Sequence, residues 1–549
     1  MQPSKASAVT IERSTQRTSA LILALILLLG TFLRFYQIGS KTLWLDEAFS
    51  VWIAHHSLKE SWSWLVRIDQ HPPLYYSLLH FWQGWFGDSQ GVVRAFSALC
   101  STLAMPFFYA ACRRWFTERT ALIATLILAL SPFHIRYAQE TRMYALLSLG
   151  VTVTLYFLAP ILLDRPARHR WRNWIGLAVA QAAVMLTHNT ATVFFPLALN
   201  LGIGGAWLQQ RSMLPFGTLG KQRQADVASW PALNEPGFGR RWLAAQALAL
   251  LLWSAWLIPF ITQAIKVDKE FWIGPPTSGM IFDVLRSFNF AFLPGQLPFS
   301  RVWDVVYWGL AILGLYALRR TPARAFLLAA LCLTPFIGEL LVSLRRPIFY
   351  ERTLIWSSLP YYMLLAVGIE WIGHRLKAEF PKLFQNKLSL RWPNLARLPL
   401  YLQNGVIVAV VALSLLALSN YYFYFQKEEW DKAAAFVAQQ VKPGDVVLFN
   451  ATWIQIPFDY YFRHYNTGAE LHGLPVDLFD RGVLEPKMAE TDVPYMHKLL
   501  TGQSQVWLVY SHDWYTDPNK IIPRELSQML PKQKSYPFVG LQVIHYAVK

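Results

Sequence analysis

Two acids, Asp46 and Glu47, stand side by side in LWLDEAFSVW, residues 43–52, directly after the first long apolar run of the chain. A carboxylate in such surroundings can act as a general base toward a hydroxyl, and exclusion of water would raise its basicity. Local structure offers a plainer use: Asp46 as a helix N-cap, with Glu47 in the first turn where the helix dipole favours it. The same segment continues to DQHPPLYYSLLHFW, residues 69–82, where His71 precedes Pro72 and Pro73. Alone, that stretch reads as an interfacial turn in which proline opens a helix and the tyrosines join an aromatic belt.

Three further stretches combine polar groups with apolar runs. SPFHIRYAQETRMYAL, residues 131–146, sets Glu140, Arg142 and Tyr144 where a helix re-enters an apolar run. The simple alternative there is a surface ion pair worth at most about 1 kcal/mol. MLTHNTA, residues 185–191, places His188 near the end of a helix hairpin, where a backbone-satisfied histidine is the ordinary outcome. LRRPIFYERT, residues 344–353, gathers Arg345, Arg346, Tyr350 and Arg352. An arginine fork suits phosphate, because its planar guanidinium donates two parallel hydrogen bonds.

The elements that must position these residues are membrane helices. Of 549 residues, 54% are hydrophobic and 15% charged, well below the charged share of a soluble protein of this size. Apolar runs begin near Thr18, Val92, Thr120, Met143, Trp174, Ala191, Trp242, Val302, Ala325, Thr353 and Leu400, which gives about eleven spans, the first of them an uncleaved helix. The net charge of +17 needs no nucleic acid, since alternate connecting segments carry the arginines and lysines. Arg113, Arg114 and Arg119 lie in one such segment, Arg165 to Arg172 in another, then Arg211 to Arg241, Arg319 to Arg324, and Arg375 to Arg397. The positive-inside rule puts these and the N-terminus in the cytoplasm. It puts segments near 40–90, 133–142, 266–301 and 344–352 outside, together with the C-terminus. The stretch near 208–241, rich in Gly, Pro and Gln, reads as a flexible linker.

Beyond the last span the composition changes. EEWDKAAAFVAQQVKPGDVVLFN reads as an amphipathic helix with Trp430, Ala433, Val437 and Val441 on one face, a Pro-Gly turn, and a strand. SQVWLVYS and LQVIHYAV are further strands. The expected organisation is therefore a transmembrane domain over 1–424 and a small extracytoplasmic α/β domain over 425–549.

Function classes can be separated by where the charges fall. A transporter or flippase for lipid-linked glycans would carry ionisable groups along its helix centres, but here these centres are almost free of charge. Cys100, Cys112 and Cys332 form neither a disulfide framework nor a CxxC metal pattern, and GIGG at 202–205 lacks the lysine of a phosphate loop. His134, His188 and Glu140 are too scattered for a structural metal. A membrane anchor that presents the outer domain as a binding module remains a separate reading.

In order and topology, Asp46-Glu47 followed by His71-Pro72-Pro73 resembles the GT-C membrane glycosyltransferases. These comprise the protein O-mannosyltransferases and bacterial relatives such as the aminoarabinose transferase acting on lipid A. The likeness spans roughly residues 20–370. Two features depart from the eukaryotic enzymes: Tyr75 and Tyr76 follow Leu74 where they carry a lysine, and their large soluble domain is missing. The resemblance implies a polytopic helical GT-C fold in the inner or plasma membrane. It implies a polyprenyl-phosphate-linked sugar donor and an inverting transfer to a hydroxyl on a lipid, glycan or protein acceptor. The alternative within the class is pentosyl transfer to a lipid such as lipid A. No cofactor is firmly implied, and a divalent cation is left open. Asp46 corresponds to the catalytic carboxylate, the general base. Glu47, His71, Arg142, Tyr144, His188, Arg346, Tyr350 and Arg352 are the candidate substrate-binding residues.

Overall fold

The computed structural model describes residues 5–69, 71–164, 171–211, 230–266, 274–294, 300–383, 398–477 and 487–548. Arg165, Arg168, Arg170, most of the 208–241 linker and the basic stretch 384–397 lie outside the described residues. The transmembrane part begins with α1 (Lys5–Phe35), after which α2 (Leu45–His55), α3 (Leu58–Ile68) and α4 (Leu74–Phe86) fold the first loop into three short helices. The bundle continues through α5 (Gln90–Trp115), α6 (Glu118–Leu130), α7 (Pro132–Ala138), α8 (Tyr144–Leu163), α9 (Trp171–Met185) and α10 (Asn189–Gln210). It closes with α11 (Phe238–Trp253), α12 (Leu257–Lys266), α13 (Ser278–Phe290), α14 (Ser300–Ala317), α15 (Pro322–Ser343), α16 (Ser358–Leu383) and α17 (Leu398–Phe423).

Every apolar run expected to span is helical. Among the described residues, eight helices are long and apolar enough to cross a membrane, or nine if α6 and α7 count as one bent span. The difference from about eleven has two sources. Helix α9 has only 15 residues, and α16 starts after a 3-10 turn at Glu351–Ser357 and carries Glu370, His374 and Arg375. Leucine and isoleucine on α1, α11 and α15 remain exposed, as expected of surfaces that face lipid rather than water.

Two packing details orient the site. The 55° bend between α6 and α7 sits at Ser131, whose hydroxyl accepts from the His134 N–H while Pro132 opens the new helix. The carbonyls of Leu128 and Ala129 that this break frees accept from the buried guanidinium of Arg34. Elsewhere α14 and α16 cross backbone to backbone: a Cβ on Gly314 would collide with the Leu364 carbonyl, and one on Gly368 with the Leu310 carbonyl.

The C-terminal part is a three-layer α/β unit. After α18 (Trp430–Gln440) come β1 (Val446–Phe449), α19 (Thr452–Phe462), β2 (Glu470–Gly473), α20 (Val493–Leu500), β3 (Gln505–Tyr510), α21 (Asp513–Thr516), α22 (Ile521–Met529), β4 (Lys532–Phe538) and β5 (Leu541–Ala547). The sheet order is β2-β1-β3-β5-β4; the first three strands are parallel, and β5 runs antiparallel to both its neighbours. Period-two alternation divides its core. Val446, Leu448, Val506 and Leu508 pack with Met496 and Leu526, while Val447, Phe449, Trp507 and Val509 pack with Trp430 and Val437. Both faces of the central strands β1 and β3 are covered, so these two read as continuous apolar runs.

Candidate active site

Helix α2 starts at Leu45 with Trp44 at its N-cap, so Asp46 occupies the second helical position rather than capping the helix. Its side chain is committed to arginines: Oδ2 lies 2.9 Å from Arg352 Nη1 and 3.8 Å from Arg142 Nε. Arg142 comes from the turn between α7 and α8, and its Nη1 also donates to the Ser50 and Tyr76 hydroxyls, each at 3.3 Å. The Tyr76 hydroxyl donates in turn to Asp69 Oδ2 at 2.9 Å, and the other Asp69 oxygen holds His71 Nδ1 at 2.8 Å. With Nδ1 held, Nε2 of His71 is the nitrogen left for a ligand.

His188 completes the wall. Its ring stands 5.3 Å from that of His71 and 6.0 Å from that of Tyr144. The backbone N–H of Thr190 donates to His188 Nδ1, which leaves the ring proton on Nε2. Burial, assisted by His71 and Arg142, pushes the His188 pKa well down, so the ring is neutral. Tyr350 touches the site through Arg352, whose guanidinium lies 5.1 Å from the Tyr350 ring and 5.8 Å from the Trp44 ring.

The charge state of Asp46 differs from the expectation of raised basicity. Burial does push its carboxyl up, but Arg142 and Arg352 outweigh that and hold it below the ordinary carboxylate range. Nor do Glu140 and Arg142 form a surface ion pair. Both are buried; Arg142 faces Asp46, while Glu140 Oε1 faces Arg136 Nε at 3.3 Å and Lys427 Nζ at 3.8 Å.

Six of the nine expected residues meet here directly: Asp46, His71, Arg142, Tyr144, His188 and Arg352, with Tyr350 beside them. Two do not. Glu47, expected to orient the acceptor or to hold a neighbouring cation, is fully buried. Its Oε1 accepts from Arg94 Nε (2.7 Å) and the Thr141 N–H (2.9 Å), and its Oε2 from Arg94 Nη2 and Lys427 Nζ, both at 2.7 Å. Arg346 donates to the Ala264 carbonyl. Asp69, Tyr76, Arg94 and Lys427 were not anticipated. Asp69 had a signal, an acid two residues before His71; Arg94 had another, an arginine near the start of an apolar helix. Among the described residues no group of three or more His, Cys, Asp or Glu side chains could hold a metal ion.

Residues 70–219 match the family model described as dolichyl-phosphate-mannose-protein mannosyltransferase, a stretch that includes His71, Arg142, Tyr144 and His188. Among solved structures, ArnT from Cupriavidus metallidurans in the apo state aligns over 97% of this chain and 99% of its own, at 15% identity and a TM-score of 0.59. ArnT bound to undecaprenyl phosphate aligns over 96% of this chain and 97% of its own, at 15% identity and a TM-score of 0.55. The archaeal oligosaccharyltransferase AglB from Archaeoglobus fulgidus, in complex with an inhibitory peptide and a dolichol-phosphate, aligns over 97% of this chain and 74% of its own, at 11% identity and a TM-score of 0.56. A search of curated proteins finds no sequence match. The chain is a multi-pass membrane protein with the fold of the GT-C glycosyltransferases.

Proposed function

We propose that this protein transfers a sugar from a polyprenyl-phosphate donor to an acceptor hydroxyl on the outer side of the membrane, with inversion. The observation that carries the reading is Asp46 Oδ2 sited between Arg352 and Arg142, with His71 and His188 alongside. In the reaction the acceptor oxygen bonds to the anomeric carbon, the bond from that carbon to the phosphate oxygen breaks, and Asp46 takes the acceptor proton. Phosphate is already a good leaving group, so it needs charge stabilisation rather than a proton. Arg352 and Arg142 supply it. A transporter fits less well, because the buried Arg34, Arg94, Asp304 and Glu339 stand near helix ends and not along helix centres.

Purified protein given a panel of polyprenyl-phosphate sugars, hexosyl and pentosyl, is expected to release free polyprenyl phosphate from one of them. Release from none would remove the transferase reading, and the responding sugar would decide between hexosyl and pentosyl transfer.

The orientation follows from the basic segments. Arg113, Arg114 and Arg119 cluster at one end of the bundle, paired with Glu118, Asp164 and Glu370, and we assign that end to the cytoplasm. Asp46, His71 and the C-terminal sheet then face outward. Reporter fusions at Arg320 are expected to read as cytoplasmic, and fusions at Asp46, His71 and the C-terminus as external. A cytoplasmic C-terminus would place the site on the wrong side for an external acceptor.

A further inference from the structure

Beside the Asp46–Arg352 pair runs a chain of alternating charges, Arg94, Glu47, Lys427, Glu140, Arg136 and Glu351, of which the first four are buried and the last two half-buried. Arg94 forks Glu47 with two contacts of 2.7 Å, and Lys427 Nζ lies 2.7 Å from Glu47 Oε2 and 3.8 Å from Glu140 Oε1. Arg136 then bridges Glu140 at 3.3 Å and Glu351 at 2.8 Å, and Ser287 donates to the far oxygen of Glu351 at 2.7 Å. The chain ends where the site begins. Glu47 is the sequence neighbour of Asp46, and Glu351 of Arg352. Successive helical residues point roughly 100° apart, so fixing Glu47 backward fixes Asp46 forward.

One link comes from elsewhere. Lys427 lies on the strap between α17 and α18 that leads into the C-terminal sheet domain, and it is buried. The same strap is tied to the start of α2: Thr42 donates to the Glu428 carbonyl, and the Leu45 N–H to the Glu428 carboxylate at 3.4 Å. The domain adds Tyr461, whose hydroxyl accepts from the Leu43 N–H at 2.7 Å and donates to Gln90 at 3.0 Å. Without Lys427, Glu47 and Glu140 would face each other with one cation fewer, and Glu140 Oε2 already has no partner among the described residues.

We propose that Lys427 is a positioning residue through which seating of the C-terminal domain sets the aim of Asp46 at its arginines. The domain is then a part of active-site assembly. The inference rests on the transferase reading of Asp46 only for its activity arm, and a second arm reads structure directly.

The experiment uses the full-length protein as wild type, Lys427→Met, Lys427→Arg, and the charge-balanced double variant Lys427→Met/Glu140→Gln. Hydrogen–deuterium exchange in Lys427→Met is expected to speed up at residues 41–48 and 139–142, while β1 and β3 stay protected. Turnover is expected to fall about 100-fold through kcat, with the donor KM held within about threefold, because the loss is of aim and not of phosphate contacts. Lys427→Arg should retain most activity. The double variant should recover kcat at least about tenfold over Lys427→Met, because it restores the charge balance that a single removal upsets.

Unchanged exchange at 41–48 and 139–142 in Lys427→Met would overturn the proposal. So would a double variant no faster than Lys427→Met. Loss of protection across β1 and β3 as well would make Lys427 a folding residue and overturn it too. Wild-type protein that consumes no lipid-linked sugar defeats the transferase reading alone, and the exchange arm still decides the seating.

Discussion

Asp46→Asn is expected to fold, insert and hold donor, and to lose about 10²–10⁴-fold in kcat, which is about 3–5 kcal/mol of transition-state stabilisation. The acceptor hydroxyl has a pKa far above neutral and attacks poorly while it keeps its proton. A carboxylate can accept that proton in the transition state; a carboxamide cannot. Asparagine preserves the shape of the side chain and an oxygen that can still accept from Arg352. It removes the negative charge that Arg352 and Arg142 neutralise in the resting site. Arg352 and Arg142 then lose that counter-charge, so donor phosphate should bind as tightly as in wild type or tighter. The signature is thus a split: kcat collapses while the donor KM stays or falls. Adjacent carboxylates working as an acid–base pair, the hydrolase arrangement, do not fit, because Glu47 faces the other way and is consumed by Arg94 and Lys427. Near-normal turnover in Asp46→Asn would reduce Asp46 to an anchor for Arg352 and end its catalytic assignment.

What the sequence made legible follows from the range of the forces involved. Helices and strands are short-range patterns, so the apolar runs located the helices, and VVLF, VWLV and VIHYAV located β1, β3 and β5. The division of labour within the acid pair was not legible. It depends on where arginines arrive from distant segments: Arg352 is 306 residues from Asp46, and Lys427 is 380 from Glu47. The same blindness reversed the sign of the Asp46 shift. An apolar neighbourhood in one dimension predicts a raised pKa, whereas the folded neighbourhood includes two cations. Arg346 and Arg352 sit in one short stretch and could not be ranked by type. Only the 3-10 turn at Glu351–Ser357, pinned by Thr353 to buried Glu339, turns Arg352 and not Arg346 toward the acid. Lys427 had no signal of its own, since a lysine just past the last apolar run is what any membrane helix carries.

Arg352→Gln is expected to raise the donor KM about 10²–10³-fold while leaving the protein inserted and folded, the scale on which loss of a charge-assisted, partly buried phosphate contact is felt. Arg352 competes for two anions. In the resting site it pairs with Asp46; a bound donor would bring a second anion, a phosphodiester whose negative charge grows as the sugar leaves, and would draw the guanidinium toward itself. That exchange would lift the restraint on Asp46 and return basicity to it only when a donor is present, so that the base is strengthened at the step that needs it. Lysine at this position should recover part of the loss, since it restores the charge but not the planar fork. The pH dependence gives an independent check with a definite sign. Arg352 lowers the Asp46 pKa, so its removal raises that pKa toward the carboxylate range. The acid limb of kcat/KM, which reports the free enzyme, should therefore move to higher pH in Arg352→Gln than in wild type. Turnover at limiting donor that is unchanged in Arg352→Gln would refute the phosphate role. An acid limb that moves down would show that Asp46 and Arg352 are not paired in the working enzyme.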